Sequence, residues 1–303
     1  LVPSPGSLSG GAAILGLHLE GPFISDDRSG AHETSTLQDR IDGGIGGLEA
    51  VYGPLKKKDG QDENPVRIMT IAPELPGALD TIPQLIKEGI VVSQGHSMAN
   101  ISQAEEAVQK GATLITHLFN AMHPFHHRDP GIIGLLGATD LEGGKEALDA
   151  QHHRVHRPYY GIIADGVHSH PNSIRMAYST HPHGLILVTD ALAPMGLASG
   201  QYRLGEMDIT KSEHDARVTG TDTLAGSVIT LAQCVRNFRA FTGSTHSQAL
   251  LGATLNPARV LGIEHERGNL VGGAVADLLF LDDDLQIKRV FIHGQETDVE
   301  DGA

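Results

Sequence analysis

Residues 15–23 read Leu15-Gly16-Leu17-His18-Leu19-Glu20-Gly21-Pro22-Phe23, an apolar run that ends on a carboxylate and then on Gly-Pro. The run has the length of a buried β-strand, and the Gly-Pro pair predicts a loop directly after it. Residues two apart share one face of a strand, so His18 and Glu20 point the same way. Glu20 sits at the carboxyl end, where parallel α/β folds place their ligands and catalytic residues.

The same layout recurs five more times along the chain, with predicted helices between several of the strands. The predicted strands cover residues 14–20, 66–72, 90–93, 112–116, 159–164 and 185–189. Helices are predicted over residues 78–88, 101–110 and 171–179. This alternation is typical of a parallel α/β sheet. A TIM barrel needs eight strands, so six strands indicate either an open sheet or a barrel whose first two strands precede Leu1.

The C-terminal part of the chain follows a different pattern. Two further helices are predicted over residues 225–241 and 246–261, and residues 275–281 and 287–293 look like an antiparallel strand pair. We therefore divide the chain into a linker (residues 1–13), a barrel (14–266), and the strands and tail of a small β domain (267–303). Because the first residue is Leu and the linker is rich in Pro, Ser and Gly, we expect the chain to begin inside a longer gene product.

Composition narrows the class of protein. The formal net charge is −15 over 303 residues, which disfavours general binding to nucleic acid or to an anionic membrane. A single cysteine, Cys234, excludes an internal disulfide and favours a reducing compartment. The sequence has no run of 18 apolar residues and no signal-peptide pattern. We therefore expect a cytoplasmic protein.

Residues that can bind a metal follow three of the predicted strands. Like Glu20, His96 and His117 lie just past an apolar run, and two imidazoles with one carboxylate are a common ligand set for a divalent ion. Zinc is the first expectation, although Fe, Co or Ni accept the same ligands. Asp190 ends the sixth strand, where it can move a proton between an attacking water and a leaving group. Taken alone, each of these residues more often makes a hydrogen bond in a loop or caps a helix. Four such residues at four strand ends favour a metal site.

Five motifs in order carry a family resemblance: HLEGPF (18–23), GHS (95–97), THLFNAM (116–122), IADGVH (163–168) and LVTD (187–190). The series resembles that of the N-acetylglucosamine-6-phosphate deacetylases in the amidohydrolase superfamily. The segment HHRDPG (126–131) is closest to the eukaryotic branch of that family. The resemblance implies an α/β fold, a TIM-type (β/α)8 barrel whose first two strands are missing here, with a remnant of a small β domain at the C-terminus.

The resemblance also implies a role for each site residue. Glu20, His96 and His117 would bind one divalent metal ion, and Asp190 would be the catalytic acid and base. Arg128 would reach the phosphate in the partner subunit of a homodimer. The remaining substrate contacts would be Ala31, His32, Asn120, Ala121, His168, Leu224, Ala225 and Gly226. The implied reaction cleaves the acetamide of N-acetyl-D-glucosamine 6-phosphate to D-glucosamine 6-phosphate and acetate.

Two other functions stay open at the level of sequence. One is a different amide hydrolysis by the same superfamily, such as opening of a cyclic amide. The other is a non-catalytic, truncated chain that acts only by binding a partner or by dimerising. Activity of Arg128→Ala on a phosphorylated sugar would distinguish the deacetylase from the first alternative, and bound metal would distinguish it from the second.

Overall fold

The computed structural model describes residues 4, 6, 7, 11–55, 64–138 and 157–297. Six short strands form one parallel sheet in which each strand pairs with the next along the chain. They are β1 (Leu17–Glu20), β2 (Val66–Ile71), β3 (Val91–Gln94), β4 (Leu114–Ile115), β5 (Tyr159–Ile162) and β6 (Leu185–Leu187). The predicted parallel βα alternation is confirmed. Within the described residues β1 does not pair with β6, so this sheet is open between them.

Helices pack on the outside of the sheet, with bounds close to those predicted for three of them. They are α1 (Ile45–Tyr52), α2 (Ala78–Lys87), α3 (Ile101–Gln109) and α4 (Pro171–Thr180). A capping box between Asn100 and Gln103 starts α3, which satisfies backbone N–H groups that a helix start leaves free. None of the described helices has the length and apolar character needed to cross a membrane.

Two apolar cores lie between the sheet and these helices. One contains Leu48, Met69 and Leu85 and packs α1 and α2 against β2 and β3. The other surrounds Ile115 and Tyr160 on β4 and β5. Each Å² of apolar surface that is buried stabilises a fold by about 25 cal/mol. Burial of these side chains therefore holds the short strands in register. The register in turn fixes which strand ends are neighbours.

An antiparallel sheet that the sequence analysis missed follows β6. Its strands are β7 (Gly200–Leu204), β8 (Met207–Lys211) and β9 (Ala216–Val218). The strands are short and mostly exposed, with Ile209 among the few fully buried side chains. A sequence signal was present: Gly205, with a φ of +57°, lies in a turn between alternating apolar residues.

The predicted helix over residues 225–241 is wrong at its start. Helix α5 spans Leu231–Thr242, and the Thr230 side chain accepts a hydrogen bond from the Gln233 backbone N–H to cap it. Before it the backbone is extended, because Ser227 bridges to Ala191 in parallel fashion. The preceding Gly226 has a φ of +137°, which a helix does not accommodate.

The single helix predicted over residues 246–261 is two helices, α6 (His246–Leu251) and α7 (Leu255–Val260). The break falls at Thr254, whose backbone (φ −132°, ψ −85°) is not helical. Just before it, the Gly252 carbonyl accepts a hydrogen bond from the backbone N–H of Leu187 at 2.8 Å. The contact ties this connection to β6.

The predicted C-terminal strand pair is a three-stranded antiparallel sheet. It comprises β10 (Leu278–Leu281), β11 (Ile287–Ile292) and β12 (Gln295–Thr297). The predicted pairing of the first two strands is present, and a turn at Gly294 returns the chain as a third strand. Residues 298–303 and parts of the predicted linker lie outside the described residues. The division at residues 13 and 266 stays a prediction.

Candidate active site

Three side chains from distant parts of the chain meet at the carboxyl ends of β1, β3 and β4. Glu20 Oε1 lies 2.9 Å from His96 Nε2 and 3.0 Å from His117 Nε2. The two imidazole nitrogens are 3.0 Å apart. Donors about 2.1 Å from a tetrahedral ion are about 3.4 Å from one another. The triangle is therefore a few tenths of an ångström smaller than a metal needs, and the donor set fits a divalent ion.

The outer contact of His96 also fits a metal ligand. Its Nδ1 lies 2.7 Å from the backbone carbonyl oxygen of Arg28, to which the Nδ1–H donates. That bond leaves the Nε2 lone pair pointing at Glu20 and His117, as second contacts of metal-binding histidines do. The Nδ1 of His117 is buried and has no hydrogen-bond partner among the described residues. Edge-on packing against the His96 ring, with centroids 4.8 Å apart, orients His117 instead.

The electrostatics of the triangle keep Glu20 ionised. Burial by itself would raise the pKa of Glu20, but hydrogen bonds from His117 and His96 hold it well below its ordinary value. Burial would lower the pKa of His117, whereas the Glu20 carboxylate raises it above the ordinary value. The same lone pairs serve a proton or a metal ion, so the two compete for this site.

Backbone strain is concentrated at this edge of the sheet. His96, His117, Ala121 and Asp190 have φ angles of +47°, +26°, +47° and +48°, in the left-handed region that non-glycine residues avoid. Each such residue costs about 1–3 kcal/mol. Fixed contacts maintain the conformation, including the hydrogen bond from Ser25 N to the His96 carbonyl at 2.8 Å. The turns direct side chains of consecutive strand ends into one space.

That space is a cavity of about 810 Å³, lined by every predicted site residue except Arg128. The predicted residues in its wall are Glu20, Ala31, His32, His96, His117, Asn120, Ala121, His168, Asp190, Leu224, Ala225 and Gly226. Arg128 is exposed and lies off the cavity of its own chain, with its Nη1 3.1 Å from His127 Nε2. The structure thus brings twelve predicted residues to one cavity, while their individual roles stay predictions.

Two of these residues make contacts that hold the site together. His32 Nδ1 lies 2.9 Å from the Ser29 carbonyl oxygen, and its Nε2 lies 3.2 Å from the Glu20 carbonyl oxygen. The Asn120 side-chain amide donates to the carbonyl oxygen of His117 at 3.2 Å. Both side chains therefore touch the backbone of a candidate metal ligand.

A carboxylate that the sequence analysis left without a role supports His96 from behind. Glu74 follows β2, yet it does not line the cavity. Its Oε2 accepts a hydrogen bond from Ser97 Oγ at 2.6 Å, and its Oε1 accepts one from the backbone N–H of Met98, also at 2.6 Å. Glu74 thus fixes the two residues after strained His96. The Pro-Glu pair at the end of β2 was the available sequence signal.

The missed antiparallel sheet supplies another wall of the cavity. Leu204, Gly205 and Met207, at the turn between β7 and β8, line the same space as the three candidate metal ligands. The Ala225 N–H donates to the Ala216 carbonyl at 2.9 Å, so the sheet is also joined to the predicted substrate loop.

A chain of polar contacts beside the triangle joins the exposed His18 to the buried hydroxyl groups of Thr70, Ser93 and Thr116. His18 Nε2 is 2.7 Å from Thr70 Oγ1, which is 2.7 Å from Thr116 Oγ1. Ser93 Oγ lies 2.6 Å from the same Thr116 oxygen. Each hydroxyl has a partner, so burying them carries little penalty. These contacts link β1 to β4 beside Glu20 and His117.

Known proteins resemble this chain over most of its length. The profile of the amidohydrolase family matches residues 11–297. N-acetylglucosamine-6-phosphate deacetylase from Danio rerio is 48% identical over 286 residues, which are 94% of this chain and 66% of the relative. The Homo sapiens protein of that name is 45% identical over 285 residues, 94% of this chain and 65% of the relative. The chain thus spans slightly less than two thirds of these relatives.

A solved structure resembles the fold. It is a mutant N-acetyl-D-glucosamine-6-phosphate deacetylase from Mycobacterium smegmatis, in complex with N-acetyl-D-glucosamine-6-phosphate. The TM-score is 0.78 with 38% identity, covering 93% of this chain and 68% of the other. The predicted resemblance and the TIM-type α/β fold class are confirmed by these similarities.

Proposed function

Because this chain belongs to the amidohydrolase family, we propose that it hydrolyses the acetamide of N-acetyl-D-glucosamine 6-phosphate. The products are D-glucosamine 6-phosphate and acetate. The observation that carries the proposal is the triangle of Glu20, His96 and His117, with sides of 2.9–3.0 Å, in a cavity lined by the other motif residues. The relatives from Danio rerio and Homo sapiens bear the name of this activity.

The family implies a divalent metal ion, and zinc is the ion that we propose. Glu20, His96 and His117 would hold it, and Fe, Co or Ni would accept the same ligands. A bound ion would supply Lewis acidity and lower the pKa of water. The Arg28 carbonyl keeps the His96 Nε2 lone pair available for this purpose, and the ion would replace the Nε2 protons as the partner of the Glu20 carboxylate.

Asp190 is the proton carrier in this mechanism. Its side chain is exposed in the cavity beside the triangle. The carboxylate accepts a proton from the attacking water and delivers it to the nitrogen of the leaving amine, which is a poor leaving group without it. The hydrogen bond from Ser227 N to the Asp190 carbonyl, at 2.9 Å, holds the strained backbone that presents this side chain.

The remaining residues bind and polarise the substrate. His32 lies in the wall beside Glu20, and its Nε2 makes the longer of its two contacts, 3.2 Å to the Glu20 carbonyl. In exchange for that contact, the Nε2–H would donate to the acetamide oxygen as charge develops on it. Asn120, Ala121 and His168 would hold the sugar phosphate, and residues 224–226 would lie along the sugar. Arg128 is exposed, so it is available to the phosphate bound by a second subunit, which is the homodimer we propose.

The experiment measures metal content and acetate release together. Asp190→Asn should lower turnover by about 10³-fold or more while the metal content and the melting temperature stay unchanged, since the residue acts on a proton. Asp26→Asn, an exposed carboxylate nearby, is the matched control and should retain full activity. Near-normal turnover by Asp190→Asn would overturn the mechanism. A chain that binds no divalent ion and releases no acetate would favour a non-catalytic binding role.

A further inference from the structure

Arg28 is the single permanent cation in the wall of the 810 Å³ cavity, among the residues that the structure describes. It ends the short 3₁₀ turn over Asp26–Arg28 in the loop after β1. The other groups in this wall that can carry positive charge are imidazoles. An imidazole is charged over only part of the physiological pH range, whereas a guanidinium is always charged. A ligand in the cavity therefore meets one fixed positive charge.

The Arg28 guanidinium has donors that the fold does not use. Its Nε lies 2.9 Å from Met98 Sδ, a thioether that accepts hydrogen bonds only weakly. Nη1 and Nη2 have no hydrogen bond or ion pair within the described part of the chain. Arg40, by contrast, is exposed and pairs with Asp42 at 2.9 Å. The half-buried Arg28 side chain is thus held in place and remains available to an anion.

The rest of the wall is unfavourable to an anion. Carboxylates line the cavity at Glu20, Asp27, Glu33 and Asp190. The chain as a whole has a formal net charge of −15. A phosphate group that enters this space is repelled unless a cation faces it. Within one chain Arg28 supplies that cation, because Arg128 lies off the cavity of its own chain.

Backbone contacts place Arg28 beside the segment that would hold the phosphate. Met98, which contacts the guanidinium, follows Ser97, and the Ser97 N–H donates to the Ala121 carbonyl at 3.0 Å. Asn120 and Ala121 line the same cavity. The Arg28 carbonyl is fixed by the His96 ring at 2.7 Å. A side chain on a fixed backbone loses less conformational entropy when it binds a ligand.

We propose that Arg28 binds the phosphate of the substrate from within its own chain and selects a phosphorylated over an unphosphorylated amino sugar. This inference rests on the proposed function, because that function supplies the phosphate. An arginine can donate two parallel, charge-assisted hydrogen bonds to phosphate oxygens, and Nη1 and Nη2 are the donors that Arg28 has available. In the proposed homodimer a second cation, Arg128, comes from the other subunit.

Binding of inorganic phosphate tests this inference without turnover. In Arg28→Gln the affinity for inorganic phosphate, measured by titration calorimetry, should fall about 10–100-fold, because hydrogen bonds from a charged donor are lost. Arg28→Lys keeps the charge and loses the planar fork, so its affinity should lie between the two. Arg40→Gln removes an exposed arginine that lies off the cavity and is the control for net charge. Equal phosphate affinities in Arg28→Gln and the wild type would overturn the inference.

A second measurement needs no variant. Phenylglyoxal modifies arginine side chains, and mass spectrometry maps the modified positions in the wild-type chain. Inorganic phosphate should slow the modification of Arg28 and leave that of Arg40 unchanged. Absence of protection at Arg28 would overturn the inference even where Arg28→Gln fails to fold.

Kinetics separate phosphate recognition from a structural role. In Arg28→Gln the ratio of kcat/KM for N-acetyl-D-glucosamine 6-phosphate to kcat/KM for N-acetyl-D-glucosamine should fall about 10–100-fold, through a higher KM for the phosphorylated sugar. Arg28→Lys should recover part of this ratio. An equal loss on both sugars would show that Arg28 only supports His96, and would overturn the inference. If the wild type releases no acetate, the proposed function fails, while the phosphate titration and the protection experiment still decide whether Arg28 binds the anion.

Discussion

His117 and His181 are both buried, with 5% and 1% of their surfaces exposed, yet their pKa values shift in opposite directions. The Glu20 carboxylate, 3.0 Å from His117 Nε2, raises the pKa of His117 although burial opposes it. Burial, with Arg157 and His183 nearby, lowers the pKa of His181 to about 3. The ring nitrogens of His181 have only a weak contact with the Pro158 backbone, which falls short of a hydrogen bond.

For these two buried imidazoles, the partner and not the depth of burial sets the direction of the pKa shift. The two histidines also differ in their surroundings, because His117 belongs to the candidate metal site and His181 to the interior of the fold. His117 is held in a strained backbone, with a φ of +26°, whereas His181 has a relaxed φ of −141°. His181 packs instead against Tyr160, with ring centroids 5.9 Å apart. Four predictions follow from this contrast.

The largest effect is expected from Glu20→Gln, which removes the carboxylate that distinguishes the two histidines. Metal affinity should fall at least 100-fold, because the change removes a direct ligand, whereas mutating an outer-shell contact typically costs about 10–100-fold. The pKa of His117 should fall toward the buried, unpaired behaviour of His181. Metal analysis after dialysis and histidine NMR measure the two effects. Glu213→Gln, an exposed glutamate, is the control; full metal retention by Glu20→Gln would contradict the assignment.

The second prediction concerns pH and the His181 side chain. Its folded pKa of about 3 lies below the ordinary 6.5, so between these values the unfolded chain binds a proton that the folded chain does not. Stability should therefore fall as the pH drops below 6.5, by about 2–3 kcal/mol at pH 4.5. The side chain in His181→Gln does not titrate in this pH range, so the variant should lose less stability between pH 6.5 and pH 4.5.

Urea unfolding of both chains at pH 7 and pH 4.5 isolates the contribution of His181, because other titrating groups are common to the two. Equal losses in the wild type and in His181→Gln would show that His181 is protonated in the folded state. The contrast with His117 would then disappear.

A smaller effect is expected when a residue that supports a candidate metal ligand is changed and the ligand itself is kept. Glu74→Ala removes both acceptors that hold Ser97 and Met98 after His96. Metal affinity should fall about tenfold, as for other outer contacts, measured by competition with a chelating dye. Glu74→Gln keeps an acceptor for the Met98 N–H and should lose less. Equal affinity in Glu74→Ala and wild type would show that the strained turn needs no support from Glu74.

The smallest effect is expected at Tyr160, beside His181. Its hydroxyl is buried without a hydrogen-bond partner in the described residues, so Tyr160→Phe removes an unpaired polar group. Stability should stay the same or rise by up to about 1 kcal/mol, measured by urea unfolding at pH 7. Thr116→Val is the matched comparison, because Thr116 has hydroxyl partners at 2.6 and 2.7 Å and should lose stability. A clear loss in Tyr160→Phe would reveal a partner for its hydroxyl.

Much of the parallel sheet could be predicted because its signals are local. Apolar runs of strand length, and glycines such as Gly89 that follow helices, mark β1–β6 and the helices between them. The β7–β9 sheet was missed because its strands are short and half polar. The start of α5 was misplaced because extended pairing of Ser227 with Ala191 overrides the local helical pattern. Tertiary contacts therefore determine the structure of both segments.

The sequence by itself determined which residues stand at strand ends, and hence that Glu20, His96, His117 and Asp190 were the candidates for chemistry. The tertiary structure alone decided that groups 97 residues apart, on Glu20 and His117, lie 3.0 Å from each other. It also decided that Glu74, which stands at an equivalent strand end, supports the site from behind. The physical reason is that strand ends are set by neighbouring residues, whereas the direction of each side chain depends on sheet register and on strained turns held by distant partners.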